Sequence, residues 1–422
     1  MSTGLLTAGS GQGWENELVA ALDRPGSSMT VVRRCVDIGD VLALATTGQA
    51  AVAIVSADLR RLDTEAVSRL RASGVAVVGV HPAADQRART RLERIGITLL
   101  VPDDAGTDAV LTAVRSAVTD LPTWREPATG LSDPRTAIPP PGVPVDVEEP
   151  DGPAPIGRVV AVWGPTGAPG RTTVATSLAV ELAHQGVPTL LIDADVYGGV
   201  AASAFGLLDE SPGLAGACRM AANGRLDLGS LTSLCWSLGD DLRLLTGIAR
   251  ADRWPEVRPS AIPGVLAVAR QMAPMVVVDC AFAIEADEEI SFDTMAPRRN
   301  GATLAVLAEA DVLLAVGSCD PAGLERLIRG LAELTDAVPE ARPQVVLNRC
   351  RSSVGSAEEA VAAVDRFAGA TVIASLPEDR AATDRAWRRG VSLVDAAPRS
   401  PLRAAAAELA SALLPVPGRA AR

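Results

Sequence analysis

Residues 159–173 have the sequence VVAVWGPTGAPGRTT, five apolar residues followed by a glycine-rich segment. The apolar run predicts a buried strand, and the residues after it, Val174–His184, have the composition of a helix. A strand, a glycine-rich loop and a helix in this order form the usual binding site for a phosphate group, since loop and helix N–H groups converge on the anion. A βα turn can also carry glycine for tight packing alone, so this segment needs support from elsewhere in the chain.

Six residues of the segment are candidates for direct contact with a phosphate group. They are Gly167, Ala168, Gly170, Arg171, Thr172 and Thr173. The Thr172 hydroxyl is placed to bind Mg²⁺, and Arg171 supplies the positive charge of the loop. All 39 basic residues of the chain are arginines, so no compact ammonium group is available for this task.

Candidate site residues lie at the ends of four further predicted strands. Asp193 and Asp195 follow the strand 188–192, and side chains at i and i+2 leave the same face of a strand. Asp279 ends the strand 274–279, Asn348 lies in the strand 345–349, and Pro377 ends the strand 373–377. Ligands of doubly wound sheets bind at this carboxyl edge, so the order of these features favours a nucleotide site over a structural turn.

The N-terminal region alternates short apolar runs with amphipathic ones. We expect strands at 5–8, 29–33, 51–56, 75–80 and 97–101, and helices at 14–22, 37–46, 63–71, 85–95 and 107–118. Five such pairs predict a doubly wound parallel sheet. The arrangement resembles a response-regulator receiver domain, but Ser56 stands at the phospho-acceptor position and Pro102 where a lysine is expected. Phosphorylation, for instance at Asp58, is therefore not expected, and we interpret this unit as a pseudo-receiver for interaction or dimerisation.

Composition divides the chain into three parts. Residues 1–120 form the receiver-like domain, 121–156 a Pro/Gly-rich disordered linker, and 157–417 a P-loop domain. The predicted fold class is α/β, with two doubly wound parallel sheets.

Charge and cysteine content bear on partners and location. The net charge of −12 opposes broad binding to DNA or to anionic membrane. The six cysteines lie far apart without a CxxC pair, which is typical of reduced, buried thiols in a cytoplasmic protein. The Ala-rich segment Pro401–Leu414 has little positive charge, and we expect a helix that packs on the domain rather than on a membrane.

Residues 157–417 resemble the ParA/MinD ATPases, whose deviant P-loop has the sequence Lys-Gly-Gly-x-Gly-Lys-Thr-Thr. The receiver-like unit, the stretch 244–254 and Arg298–Asn300 are more specifically similar to the CpaE/TadZ branch, which includes septum-site-determining proteins of actinobacteria. The resemblance implies ATP and Mg²⁺ as ligands and a homodimer through the P-loop domain. It also implies roles for individual residues: Asp195 orients the attacking water, Asp193 lies near Mg²⁺, Asp279 is the Walker B carboxylate, Asn348 reads adenine, and Pro377 begins the loop over the base.

The loop departs from this family pattern at several positions. Thr166 replaces the signature lysine, Arg171 replaces the second lysine, and Ala168 replaces a glycine. Because phosphoryl transfer depends on positioning and electrostatic stabilisation, we expect nucleotide binding with weak hydrolysis, in which Asp195 and Arg171 are the catalytic candidates.

The expected function is that of a positioning or assembly regulator for a pilus, a secretion system or the division septum. We expect it to be cytoplasmic and recruited to the pole, septum or membrane only through protein partners. Two alternatives are a non-catalytic scaffold with a degenerate pocket and a DNA-partitioning ATPase, which the acidic composition opposes.

Overall fold

The computed structural model describes residues 3–9, 13–22, 28–124, 157–207, 213–285 and 298–414. The chain divides into two compact units, 1–155 with 223–225 and 156–222 with 226–422. Most of the predicted linker, from residue 125 onward, lies outside the described residues. The last helix of the first unit continues to Trp124, beyond the expected boundary at residue 120.

In its described residues, the N-terminal unit has five strands and five helices in strict alternation. They are β1 (Thr3–Ala8), α1 (Gly13–Leu22), β2 (Met29–Cys35), α2 (Ile38–Ala45), β3 (Val52–Ser56), α3 (Thr64–Ala72), β4 (Ala76–His81), α4 (Gln86–Arg94), β5 (Leu99–Pro102) and α5 (Thr107–Trp124). The strand order is β2-β1-β3-β4-β5, and every pair is parallel. This is the order of a doubly wound sheet, as predicted.

Aspartates start three of these helices. The side chains of Asp37, Asp63 and Asp85 accept hydrogen bonds from amides of the first turns of α2, α3 and α4. These groups would otherwise be without partners at a helix N-terminus, so each cap determines where its helix begins. Each of these three aspartates is also the first residue of the helix that the sequence predicts.

The C-terminal unit is a larger α/β layer structure. Its first part comprises β6 (Arg158–Trp163), α6 (Arg171–His184), β7 (Thr189–Ala194), α7 (Ala201–Ala204), α8 (Gly213–Ala222), α9 (Leu228–Leu234), β8 (Trp236–Ser237) and β9 (Leu242–Leu245). Two 3-10 helices, Ala251–Glu256 and Pro259–Ala261, precede α10 (Ile262–Met272) and β10 (Met275–Cys280). The rest comprises α11 (Gly301–Glu309), β11 (Val312–Ser318), α12 (Pro321–Ala337), β12 (Pro343–Cys350), α13 (Ala357–Ala368), β13 (Val372–Pro377), α14 (Arg380–Arg389), α15 (Leu393–Ala396) and α16 (Pro401–Leu413).

The described residues of this unit form one eight-stranded sheet in the order β13-β12-β11-β6-β10-β7-β9-β8, in which β8 alone is antiparallel to its neighbour. The central strand β6 is fully buried after its first residue, and apolar clusters cover both faces of the sheet. Its carboxyl end, where the glycine-rich loop begins, therefore lies in the middle of the sheet edge.

The segment after Ser400 forms α16, which packs against the domain as predicted. Leu402, Leu409 and Leu413 are buried beside α6 and β13. Arg403 of α16 donates two hydrogen bonds, of 2.7 and 2.9 Å, to the buried Glu181 of α6. In the described part of the chain, no helix combines the length and apolarity required to span a membrane.

The structure corrects the prediction that all cysteines are free thiols. Cys319 and Cys350 form a disulfide bond, while Cys35, Cys218, Cys235 and Cys280 are free. The two bonded residues lie 31 positions apart, just beyond β11 and at the end of β12, which are parallel neighbours. Sequence spacing carries no sign of this pairing, because the adjacency arises only when the sheet forms.

Reduction of this bond is expected to lower the free energy of unfolding of the C-terminal unit by about 3–4 kcal/mol, the effect of opening a loop of this size in the unfolded chain. Denaturant titration of the oxidised protein, with and without a thiol reductant, measures the difference. Cys319→Ser should reproduce it, whereas Cys235→Ser, at a partly exposed free thiol, should not. Equal midpoints with and without reductant would contradict the bond's stabilising role.

Candidate functional site

The glycine-rich loop connects β6 to α6 in a backbone conformation that few residues adopt. Gly167, Ala168 and Gly170 have positive φ angles of 99°, 51° and 98°. Gly170 is the N-cap of α6 and offers no side chain to the first-turn amides. These amides are therefore available for an anion at the helix N-terminus.

Asn348 at the end of β12 holds this loop in place. Its Nδ2 donates a 2.8 Å hydrogen bond to the carbonyl oxygen of Pro169, and the side chain is buried. A Cβ added to Gly170 would lie 2.3 Å from the same nitrogen, so only glycine fits at that position. The residue predicted to read adenine thus contacts the phosphate loop directly, and base recognition stays a prediction.

Arg171, the first residue of α6, folds back on the loop. Its Nη1 donates to the carbonyl oxygens of Gly164 and Pro165 at 3.3 and 3.2 Å, and its Nε donates to that of Cys280 at 3.2 Å. Its Nη2 lies 3.5 Å from Oδ2 of Asp195, and the side chain is 12% exposed. The guanidinium therefore joins the loop to the ends of two further strands.

Asp279 and Thr172 form the next contact of the site. The Thr172 hydroxyl donates a 2.6 Å hydrogen bond to Oδ2 of Asp279, while Oδ1 is buried and has no hydrogen-bond partner among the residues that the structure describes. Burial, and then the negative charge of Asp193, raises the pKa of Asp279 well above its ordinary value. A buried carboxylate oxygen without a donor is costly, and a cation beside it would remove this cost.

Asp193 pairs in register with Asp279 on the neighbouring strand β7. Its two oxygens accept hydrogen bonds from the amides of Asp195 and Ala201, at 3.2 and 3.0 Å. Burial raises its pKa to about 6. A Cβ at Gly199 would lie 2.4 Å from its Oδ1, so the following loop wraps closely around this carboxylate. In this conformation Asp193 organises the loop after β7.

Asp195 begins that loop. Its Oδ1 accepts hydrogen bonds from the amides of Tyr197 and Gly198, at 2.9 and 3.1 Å, and its Oδ2 faces Arg171. The structure therefore brings the predicted residues Arg171, Thr172, Asp195 and Asp279 into one connected cluster. Thr173 lies half-buried in the first turn of α6, and Pro377 pairs in register with Cys350 at the end of β12.

The donor set fits a magnesium ion that is shared with a phosphate ligand. Hydroxyl and carboxylate oxygens are the ligands that Mg²⁺ prefers, and Thr172 and the unpartnered Oδ1 of Asp279 supply both. Among the described residues, no group of three or more His, Cys, Asp or Glu side chains is arranged to hold a metal. Such a site therefore depends on oxygens from the ligand and water, as is usual for Mg²⁺.

A cluster of aromatic and arginine side chains beside Asp195 escaped prediction. The rings of Tyr197 and Phe282 lie 4.9 Å apart, and Cζ of Arg299 lies 3.8 Å from the Tyr197 ring centroid. The Tyr197 hydroxyl donates to Oδ1 of Asn300 at 2.7 Å, and Nδ2 of Asn300 donates to the carbonyl oxygen of Glu285 at 2.9 Å. The cluster connects the loops after β7 and β10. Its only sequence signal was Arg298–Asn300, since a lone tyrosine carries no motif.

Comparison with known proteins gives one matching family and several similar structures. The model of the CobQ/CobB/MinD/ParA nucleotide binding domain matches residues 160–403, more than half of the chain. The ParA family ATPase from Chlorobium tepidum has a similar structure, with a TM-score of 0.51 and 20% sequence identity over 61% of this chain and 99% of that one. A search of curated proteins gave no match.

Two structures from Pyrococcus species are also similar. The cell division ATPase MinD of Pyrococcus furiosus gives a TM-score of 0.49 at 20% identity, covering 60% of this chain and 97% of its own. The septum site-determining protein MinD of Pyrococcus horikoshii, complexed with Mg-ADP, gives 0.48 at 17% identity, covering 61% and 95%. The site and the fold define a P-loop protein of the α/β class. The chain belongs to the CobQ/CobB/MinD/ParA nucleotide binding domain family.

Asp279→Asn is expected to stabilise the ligand-free protein at neutral pH. The unfolded chain loses the Asp279 proton near pH 4, the ordinary carboxyl pKa, whereas the folded protein keeps it up to the raised pKa. In the pH range between these two values, the free energy of unfolding of the wild type therefore falls as pH rises. Asparagine does not titrate, so the variant should gain roughly 1–3 kcal/mol over wild type at pH 8 and little at pH 4.

Urea unfolding over this pH range measures that difference. Asp240→Asn, at an exposed position, should show none of it. If the difference in unfolding free energy between Asp279→Asn and wild type does not increase with pH, the Asp279 carboxyl does not have a raised pKa in the folded protein.

Proposed function

We propose that this chain binds ATP with Mg²⁺ at the loop 164–173 and uses the nucleotide to control its assembly state. The observation that carries the proposal is the contact between Thr172 and Asp279, beside a helix N-terminus. Oδ1 of Asp279 is buried there without a hydrogen-bond partner in the described part of the chain. Phosphate oxygens would accept from the loop amides, and the metal would supply the positive charge that the buried carboxylates lack.

Each residue of the site would have its own role in binding the nucleotide and the metal. Thr172 and Asp279 would hold the metal shell, and Gly167, Ala168, Gly170 and Thr173 would surround the phosphates. Asn348 and Pro377 would border the base at the adjacent strand ends. Asp193 would stay close to the metal while it shapes the loop after β7.

Hydrolysis is proposed to be weak because Arg171, the cation of the loop, is already bound to protein groups. Arg171 binds three main-chain carbonyls and faces Asp195, the residue assigned to orient water. A guanidinium held in this way must break existing contacts before it can stabilise charge on a transferred phosphoryl group.

The finer assignment is to the CpaE/TadZ or septum-site branch, with homodimerisation through the P-loop domain and partners in a pilus, secretion or division apparatus. It rests on the N-terminal unit, for which the sequence predicts the bounds 1–120. After β3, where a receiver carries its acceptor, Arg91 donates to the carbonyl oxygens of Ala57 and Leu62, at 2.6 and 2.7 Å. The buried Glu15 is bound by Thr7 and Arg34. We propose an interaction module in place of a phosphorylated one.

A non-catalytic scaffold is the second candidate function, and the engagement of Arg171 favours it. Saturable nucleotide binding separates the two proposals. DNA partitioning stays a third alternative, which the net charge of −12 opposes.

Fluorescence titration with a fluorescent ATP analogue tests nucleotide binding. Saturable binding that requires Mg²⁺ is expected, and Thr172→Ala should weaken it about tenfold or more through loss of the hydroxyl at the metal. Absence of saturable binding by the wild type in the presence of Mg²⁺ would leave only the scaffold.

Turnover of ATP by wild type and by Asp195→Ala tests the catalytic assignment. We expect slow wild-type turnover and a further loss in the variant of about a hundredfold, the usual effect of removing one group that positions the nucleophile. Asp240→Ala serves as the exposed control. Equal rates for Asp195→Ala and wild type would remove Asp195 from the mechanism.

A further inference from the structure

A second arginine, from another element, lies against the phosphate loop. Helix α12 begins three residues after β11, the strand that pairs with β6 on its other side. A Cβ added to Gly167 would lie 2.6 Å from Nη1 of Arg326 and 3.2 Å from its Cδ and Cζ. The guanidinium of Arg326 therefore rests on the loop at a position where only glycine leaves it room.

The packing of α12 determines the place of this arginine. A Cβ at Gly330 would lie 3.1 Å from Cβ of Pro165 and 3.3 Å from the Trp163 ring. Residues four apart lie on the same face of a helix, so Arg326 and Gly330 both face the loop. The close packing of the α12 backbone against the loop, and not the side-chain rotamer alone, therefore places the guanidinium beside the loop.

The charge of Arg326 is not committed to any other group that the structure describes. The side chain is exposed, and among the described residues it has no hydrogen bond or ion pair. The two acids that precede it in sequence have other partners: Glu325 pairs with Arg329 at 2.6 Å, and Asp320 accepts from the amide of Gly323. Arg171, by contrast, is bound on several sides within the loop.

We propose that Arg326 binds the terminal phosphates of the nucleotide held by the same loop. This inference rests on the proposed function and names the residue that supplies its free cation. A triphosphate with one bound Mg²⁺ still carries net negative charge, which a guanidinium binds strongly, and Thr166 contributes no positive charge. Arginine binds phosphate through two parallel hydrogen bonds, and its ordering over Gly167 would accompany binding.

Isothermal titration calorimetry with ATP, and separately with adenosine, in the presence of Mg²⁺ tests this role. Arg326→Ala should weaken ATP binding about 10- to 100-fold and leave adenosine binding unchanged, because only the phosphates lose a partner. Arg326→Lys should retain part of the affinity, since it keeps the charge without the planar fork. Arg329→Ala, one helical turn away on the same exposed surface, should bind ATP like wild type.

The outcomes separate this inference from the proposed function. ATP binding by Arg326→Ala equal to that of wild type would overturn the role of Arg326 and leave the nucleotide site intact. An equal loss of ATP and adenosine affinity in Arg326→Ala would also overturn it, because adenosine has no phosphate for Arg326 to bind. The same loss of ATP affinity in Arg329→Ala as in Arg326→Ala would overturn it as well, because the effect would then not be specific to Arg326. Absence of ATP binding by the wild type would refute the proposed function itself and this inference with it.

Discussion

Three buried carboxylates and one guanidinium meet at the carboxyl edge of β6, β7 and β10, and the balance of their charge constrains the whole site. Asp193, Asp195 and Asp279 carry three negative charges when ionised, against one positive charge on Arg171. Without a further cation, burial raises the pKa of both Asp193 and Asp279, so each carboxyl keeps its proton to a higher pH than it would in water. A divalent ion beside Thr172 and Asp279 would remove that imbalance, and the adjacent helix N-terminus would then accept an anionic ligand.

The position of Arg171 explains how a loop without lysine keeps its shape. Its hydrogen bonds to Gly164, Pro165 and Cys280 join the loop to the end of β10, and its contact with Asp195 joins the loop to β7. A planar guanidinium can make these contacts simultaneously, which a compact ammonium cannot do with the same reach. In the proposed account, Arg171 mainly holds the site together, and Arg326 from α12 contacts the ligand.

Local pattern was sufficient to predict much of the fold and of this cluster. Each of the signals that allowed this prediction extends over only a few residues of sequence. They are the apolar strands, the capping residues Asp37, Asp63 and Asp85, and the glycines before Arg171. The disulfide of Cys319 with Cys350, the Tyr197–Phe282 contact and the approach of Arg326 to Gly167 depend on which strands become neighbours. Chain spacing does not encode those distances, so only the folded structure revealed them.

A crystal structure of the full chain grown with ADP and Mg²⁺ tests the central claim most directly. The account predicts a diphosphate against the amides of residues 167–173, a metal ion bound by the Thr172 hydroxyl, and Oδ1 of Asp279 in its water shell. A loop without nucleotide under saturating ligand, or a nucleotide bound away from residues 167–173, would contradict it.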